Sequence, residues 1–151
     1  MIKNKILRLI KENRISTTEV ADALGKKGVV PHVKPTIPGK HLVGEVQFFY
    51  AYNKSNWELH QQIESADNNK IAFFSAINCG ESALFGDLVS KYLTLYKQVK
   101  GIVVDGYLRD AHNLIKEKYP IWCKGTTPIG CFNKKNEKPI NEEIVTELKN
   151  K

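Results

Sequence analysis

The sequence predicts a single α/β domain, because apolar runs rich in β-branched and aromatic residues alternate with segments of helical periodicity. The chain has 151 residues, of which 42% are hydrophobic, so it can bury one core but not two ordinary ones. Four strands are predicted, at residues 42–52, 71–77, 101–105 and 121–123, and the helical segments between them cover residues 55–63, 88–99 and 111–118.

The first forty residues contain two predicted helices and an irregular connection. Apolar residues at helical spacing predict an amphipathic helix over residues 2–13. Ser16 and Glu19 have the spacing of a capping box that opens a short helix, and Gly25 ends this helix. The prolines and the glycine between residues 31 and 39 indicate an irregular connection to the first long strand.

The first long strand, at residues 42–52, carries Val46, Phe48, Tyr50 and Tyr52 on one face. Ser55 and Glu58 have the spacing of a second capping box, which would open the next helix. Trp57 and His60 are expected near the inner face of that helix.

The chain is divided into residues 1–132, the α/β domain with its N-terminal helix, and residues 133–151, a polar linker followed by a short helix. Asn141 is the expected N-cap of this last helix. Its apolar residues are Ile144, Val145 and Leu148.

The positive charge of the chain is concentrated at its N-terminal end. The net charge is +7, and residues 1–40 hold nine Lys and Arg against three Asp and Glu. A basic end can attract nucleic acid or an acidic protein, and it can equally be a solvated helix face. No motif of a nucleic-acid-binding domain accompanies it, so nucleic-acid binding is not predicted.

Three cysteines, with no CxxC pair, and four scattered histidines exclude a zinc-type cluster. The apolar stretch near the N-terminus is too short for a signal peptide or a membrane span, so we expect a cytoplasmic, reduced protein. Cys79, beside the glycine-bearing loop, is a candidate nucleophile. A small buried hydrophobe is the favoured interpretation, because no histidine lies near it in sequence to activate the thiol.

The segment Asp-Gly-Tyr-Leu-Arg-Asp at residues 105–110 follows an apolar strand. A glycine turn is predicted to deliver Arg109 and Asp110 side by side to the strand end. A guanidinium can bind a carboxylate through two parallel hydrogen bonds, and a carboxylate at a loop mouth can hold a hard divalent cation. The alternative is an Asp-Gly turn followed by a local Arg–Asp ion pair that caps the next helix.

A second candidate segment is Asn-Cys-Gly-Glu-Ser-Ala-Leu-Phe-Gly-Asp-Leu at residues 78–88, between a predicted strand and a predicted helix. A glycine-bearing junction of this kind exposes backbone N–H groups at the positive end of a helix, where a carboxylate or phosphate can bind. The segment is neither a P-loop nor a dinucleotide-binding GxGxxG motif.

Together these segments resemble the RraA-like family. The resemblance rests on residues 80–88, on Lys-Gly-Ile-Val-Val-Asp-Gly-Tyr-Leu-Arg-Asp at residues 100–110, on Tyr-Pro-Ile-Trp-Cys-Lys-Gly-Thr-Thr-Pro at residues 119–128 and on the helix at residues 16–25. It extends over about residues 15–128. The family includes the regulator of ribonuclease E activity A and the class II 4-hydroxy-4-methyl-2-oxoglutarate aldolases, which also decarboxylate oxaloacetate.

The resemblance implies a swivelling β/β/α sandwich that assembles as a homotrimer or a dimer of trimers, with active sites at subunit contacts. It also implies a divalent-metal-dependent lyase that cleaves a carbon–carbon bond of a short 2-oxo-diacid through a pyruvate enolate. In this scheme Asp110 coordinates Mg²⁺ or Mn²⁺ largely through waters, and Arg109 binds the substrate carboxylate, helped by backbone N–H groups around Gly86, Asp87 and Leu88. Asp87 would contact a metal-bound water and orient a water as base. No Schiff-base lysine is expected at either motif.

Two departures from the family pattern leave three hypotheses open. The family usually has two glycines where this chain has Cys79-Gly80, and the characterised aldolases have a longer C-terminal region with an acidic group that cannot be mapped onto Glu142, Glu143 or Glu147. The chain is therefore a lyase for a short oxo-diacid, a non-catalytic protein-binding regulator of the ribonuclease E type, or a lyase of the same chemistry for an unrelated substrate.

Overall fold

Four parallel strands and one short antiparallel strand form a single five-stranded sheet in the computed structural model, which describes residues 2–150. The sheet order is β1-β5-β4-β3-β2, and only β1 pairs in the antiparallel direction. The strands are β1 (Lys34–Pro35), β2 (Val46–Tyr52), β3 (Ile71–Ile77), β4 (Gly101–Leu108) and β5 (Ile121–Thr126). The helices are α1 (Ile2–Glu12), α2 (Thr17–Ala23), α3 (Trp57–Gln62), α4 (Asp87–Lys91), α5 (Ala111–Lys116) and α6 (Glu142–Asn150).

The core lies on the sheet face that the connecting helices cover. The strands β2 to β5 are neighbours in chain order, so right-handed crossovers place the helices between them on one face. Phe74 is fully buried on that face, with its ring centroid 5.1 Å from that of Phe49 and 5.0 Å from that of Phe85. Leu59, Leu93 and Leu114 are buried from the helical side. The predicted α/β class is confirmed.

The N-terminal helices follow the local sequence signals. Helix α1 occupies the predicted segment, although none of its described residues is buried. At α2, the Ser16 hydroxyl accepts from the Glu19 N–H at 3.2 Å, while the Ser16 N–H donates to the Glu19 carboxylate at 2.8 Å. The first capping box is therefore confirmed, and Gly25 follows the helix with a φ of +65°.

The second predicted capping box is wrong. Helix α3 begins after Asn56, which makes no side-chain cap, and the Ser55 hydroxyl instead donates to the Lys134 carbonyl at 2.5 Å. Trp57 and His60 are exposed, because Leu59 and the following Ile63 form the buried face. The Ser55 oxygen still accepts from the Trp57 N–H at 3.3 Å, but the Ser55 N–H donates to the Tyr52 carbonyl, so the reciprocal contact with Glu58 does not form.

The predicted glycine turn at Gly106 is also wrong. Strand β4 continues through Gly106 to Leu108, with a register shift between Val104 and Tyr107. A Cβ on Gly106 would lie 2.7 Å from the Ala76 Cβ, so glycine permits close approach of β3 rather than a turn. Asp105, the residue before Gly106, pairs with Lys124 at 2.7 Å.

The helix predicted at residues 88–99 is shorter and irregular. The α-helical part, α4, ends at Lys91, and a π-helical turn follows over Tyr92–Tyr96. Its wider turn stacks Tyr92 on Tyr96, with ring centroids 5.3 Å apart. None of the helices within residues 2–150 has the length and apolar character needed to span a lipid bilayer.

The C-terminal segment packs against the start of α3. The Asn136 N–H and side-chain amide each donate to the Glu58 carboxylate at 3.0 Å, and the Tyr52 hydroxyl donates to the Lys138 carbonyl at 3.3 Å. The Asn141 side chain accepts from the Glu143 N–H at 2.9 Å, so the predicted cap of α6 is confirmed. The division at residue 132 stays a prediction.

We expect the thermal midpoint of Glu58→Gln to fall less than that of the parent protein as the pH is lowered. Burial raises the pKa of Glu58, but the hydrogen bonds from Asn136 outweigh it and hold the pKa below its ordinary value of 4.5. A carboxylate whose pKa is lower in the folded state than in the unfolded state stabilises the fold at pH values above the unfolded-state pKa. That stabilisation is lost as the pH falls through the folded-state pKa. The measurement is the thermal midpoint of both proteins from pH 6 down to about pH 3. Exposed Glu64→Gln is the control, and a Glu58→Gln profile as steep as the parent's would contradict this role.

Candidate functional site

The candidate site lies at the carboxyl end of the parallel strands, where open α/β sheets bind ligands. The loop after β3 runs beside the end of β4. Its Leu84 N–H donates to the Tyr107 carbonyl at 2.9 Å, and the Arg109 N–H donates to the Phe85 carbonyl at 3.0 Å. These backbone bonds bring the two candidate segments together, although they are some twenty residues apart in sequence.

Gly86 allows the two segments to meet. The Asp87 N–H donates to Asp110 Oδ2 at 3.0 Å, across the Gly86 backbone. A Cβ on Gly86 would lie 2.0 Å from Asp110 Oδ2 and 2.8 Å from Arg109 Cγ. Only glycine therefore fits this contact. The Asp87 amide, which was expected to bind substrate, is used by Asp110 in this arrangement.

The side chains of Arg109 and Asp110 are close but do not form a hydrogen bond with each other. Arg109 Nε lies 3.9 Å from Asp110 Oδ2, which is beyond hydrogen-bond distance. The Arg109 side chain is 54% exposed, and among residues 2–150 it donates no hydrogen bond to the protein. Asp110 has a φ of +59° at the start of α5, and its side chain makes no cap bond. The alternative of a tight, helix-capping ion pair does not match this geometry.

Asp87 lies deeper than Asp110, with only 12% of its side chain exposed. Its Oδ2 accepts from Lys91 Nζ at 2.9 Å, and its Oδ1 is buried with no hydrogen-bond partner among the described residues. Lys91 was missed, although its position four residues after Asp87 on a helix is an ion-pair spacing. The hydrogen bond with Asp87 raises the pKa of Lys91, so this lysine is a protonated partner and not an amine nucleophile.

Exposed apolar side chains border the site. The side chain of Leu88, directly after Asp87, is 81% exposed, and that of Ile129 is also exposed. The Ile129 carbonyl accepts from the Ala83 N–H at 2.8 Å, which ties this residue to the loop after β3. Gly130 follows, and a Cβ there would lie 3.1 Å from an Arg109 terminal nitrogen. The segment at residues 127–132 therefore forms one wall of the site, a role that the sequence did not indicate.

The acidic side chains of the site limit the kind of metal ion that could bind there. Residues 2–150 contain no group of three or more His, Cys, Asp or Glu side chains placed to bind a metal ion. A zinc-type site with three or four protein ligands therefore does not fit. A hard cation that keeps most of its waters needs only one or two carboxylates, which is a donor set that Asp110 and Asp87 could supply. The unpartnered Asp87 Oδ1 is an acceptor that such a cation, or its water, would satisfy.

The fold and site define an α/β protein with an exposed arginine and two acidic side chains at the carboxyl edge of a parallel sheet. The family model described as Aldolase/RraA matches residues 17–148, and the chain belongs to this RraA-like family. The predicted family is thus confirmed. The family includes aldolase and decarboxylase enzymes as well as inhibitors of ribonuclease E.

Three relatives illustrate the similarity. Protein DlpA of Legionella pneumophila subsp. pneumophila is 26% identical over 93% of this chain, which spans only 23% of DlpA. RraAS2 of Streptomyces coelicolor, an unusual member of the RNase ES inhibitor RraA family, is 24% identical, with a TM-score of 0.69 over 83% of this chain and 66% of its own. The RNA-processing inhibitor RraA of Thermus thermophilis is 18% identical, with a TM-score of 0.64 over 80% of this chain and 73% of its own. The two structures establish the fold alone.

Proposed function

We propose that this chain is a divalent-metal-dependent lyase acting on short 2-oxo-diacids, by aldol cleavage or by decarboxylation of oxaloacetate. The observation that carries the proposal is the exposed Arg109 guanidinium beside the Asp110 carboxylate, with the unpartnered Asp87 oxygen behind them. This set offers one group for an anionic carboxylate, one for a cation and one for a water of that cation, as a metal-bound 2-oxo acid requires.

Each side chain has a distinct role in the proposal. Asp110 would hold Mg²⁺ or Mn²⁺, with Asp87 contacting one of the metal's waters, and the metal when bound supplies Lewis-acid polarisation of the 2-oxo group. Arg109 would bind the substrate carboxylate through two hydrogen bonds and fix the pyruvate half. Lys91 holds one Asp87 oxygen, which leaves the other to orient a water that accepts or delivers a proton. The electron pair of the broken carbon–carbon bond stays on the pyruvate half as its enolate.

The proposal includes assembly as a homotrimer or a dimer of trimers. Leu88, Ile129 and Phe132 are exposed apolar side chains around the site, and covering them would remove apolar surface from water. A neighbouring subunit packed on this rim would close the distal half of the substrate pocket.

Asp110→Asn tests the cation site. An amide oxygen can still accept from the Asp87 N–H, so we expect the thermal midpoint to change little. Loss of the negative charge should weaken Mn²⁺ binding, measured by calorimetric titration, by about tenfold or more, and should abolish metal-stimulated pyruvate release from oxaloacetate. Asp67→Asn, at an exposed surface ion pair, is the control. Unchanged Mn²⁺ affinity in Asp110→Asn would remove Asp110 from the site.

The second candidate function is a non-catalytic regulator that binds a ribonuclease of the E type. Two solved relatives carry an inhibitor description, and the described residues of α1 expose apolar and basic side chains with none buried, as a protein-docking helix would. Incubation with oxaloacetate, with and without Mg²⁺, separates the candidates. Metal-dependent pyruvate release faster than that of the metal without protein supports the lyase, and no rate above this background together with inhibition of a ribonuclease of the E type supports the regulator. Mn²⁺ binding at Asp110 without oxaloacetate turnover would indicate an unrelated substrate.

A further inference from the structure

The sheet has a second apolar face, opposite the one that the connecting helices cover. Side chains alternate along a strand, and β2 and β3 each carry two consecutive phenylalanines. Phe49 and Phe74 are buried in the core, so Phe48 and Phe73 point to the other face, where they are half-buried. The rings of Phe48 and Phe73 are stacked, with centroids 6.0 Å apart. Outward-facing side chains of a solvated strand are normally polar, so these aromatic rings indicate a face that is covered.

Two segments cover this face only in part and leave a cavity beside the aromatic rings. Helix α6 forms one wall, with Leu148 at the cavity and Lys149 Nζ 5.9 Å from the Phe48 ring centroid. The connection at residues 28–31 forms another wall. The cavity has a volume of about 630 Å³, which is in the range of small-molecule sites. None of its lining residues belongs to the candidate site described above.

The floor of the cavity is apolar along most of its length and polar at the carboxyl end of the strands. Val46, Phe48 and Phe73 form the apolar part. Ser75 and Asp105 follow, paired in register across β3 and β4. Lys124 Nζ lies 2.7 Å from Asp105 Oδ1, outside hydrogen-bond geometry but close enough for the two charges to offset each other. The polar end therefore offers hydrogen-bonding groups with little net charge.

Lys149 gives the cavity a positive charge. Among residues 2–150, no Asp or Glu side chain lies within ion-pair distance of its ammonium group, whereas Lys124 is offset by Asp105. The net charge of +7 on the chain acts in the same direction, so an anionic ligand is favoured over a cationic one. Aromatic rings pack on one another in offset or edge-to-face arrangements, so the floor favours a flat ring over a flexible aliphatic chain.

We propose that this cavity binds a planar aromatic monocarboxylate, with its ring against Phe48 and Phe73 and its carboxylate at Lys149. The Ser75 hydroxyl and the Asp105 carboxylate accept hydrogen bonds from a hydroxyl or N–H group on the ring. Binding removes the apolar surface of the two phenylalanines from water. This site is separate from the candidate lyase site, and the inference does not depend on the proposed lyase activity.

The test is calorimetric titration of the full chain with indole-3-acetate, a planar ring with one N–H and one carboxylate, and with its neutral analogue indole-3-acetamide. The parent should bind the acetate about three- to tenfold more tightly than the acetamide, as expected for one partly solvated charge contact. Lys149→Gln should lose this preference, and the exposed control Lys116→Gln, on α5, should keep it. Phe73→Leu should weaken the binding of both compounds. Amide NMR shifts should change at residues 28–31, 46–48 and 73–75.

Absence of indole-3-acetate binding, or equal affinity of the parent for the acetate and the acetamide, would overturn the proposal. Displacement of indole-3-acetate by oxalate, or loss of its binding in Arg109→Lys, would also overturn it, because the probe would then occupy the candidate lyase site. A dimer that Val46→Glu converts to a monomer would show that a second copy covers this face instead. Lack of oxaloacetate turnover with indole-3-acetate binding intact would count against the proposed function alone.

Discussion

Arg109→Lys is expected to reduce turnover of pyruvate-forming substrates by about ten- to a thousand-fold, the loss that roughly 1.4–4 kcal/mol of transition-state stabilisation produces. A lysine keeps the charge but cannot present two parallel N–H groups to a carboxylate. Oxalate, a planar dianion similar to the enolate of pyruvate, should inhibit the parent and lose potency in the variant. The measurements are steady-state pyruvate release and oxalate inhibition with Mg²⁺ present.

The stability of Arg109→Lys distinguishes a ligand-binding role from a structural one. The Arg109 side chain is more than half exposed and lies 3.9 Å from its nearest acidic partner, so the thermal midpoint should stay within about a degree of the parent's. Arg8→Lys, at an exposed ion pair on α1, is the matched control and should change neither quantity. If Arg109 only pairs with Asp110, its variant will melt earlier and bind oxalate as the parent does.

Gly86→Ala is expected to destabilise the fold by about 1–3 kcal/mol, the range for an extra methyl group in a closely packed site. The new Cβ would lie 2.0 Å from Asp110 Oδ2 and 2.8 Å from Arg109 Cγ, so both side chains must move. The displacement should also abolish Mn²⁺ and oxalate binding, since both depend on these groups in the proposed function. Urea unfolding and calorimetric titration measure the two effects separately.

The control for Gly86→Ala is Gly39→Ala. A Cβ on Gly39 meets no described atom within 4 Å, but its φ of +80° disfavours alanine, so the expected cost is a backbone cost of roughly 1 kcal/mol with ligand binding intact. Equal destabilisation by the two changes, with Mn²⁺ and oxalate binding retained in Gly86→Ala, would show that the Gly86 contact does not organise the site.

The sequence predicted the elements that depend on neighbours along the chain. The Ser16 capping box, the cap at Asn141 and the core strands at β3 and β4 are set by residues within a few positions of each other, so local chemistry suffices to find them. The position of Arg109 and Asp110 at the end of a strand was predictable for the same reason. The boundaries of α4 and β4 were not, because the π-helical turn and the Gly106 contact with Ala76 depend on packing against other elements.

The sequence by itself determined the alternation of strands and helices, the family and the identity of the candidate residues, since each is written in short segments. Only the tertiary structure decided which segments meet. It joined Ser55 and Glu58 to the C-terminal segment and Asp87 to Asp110 across Gly86. Such contacts depend on sheet register and backbone approach between distant segments, and no pattern of neighbouring residues specifies them.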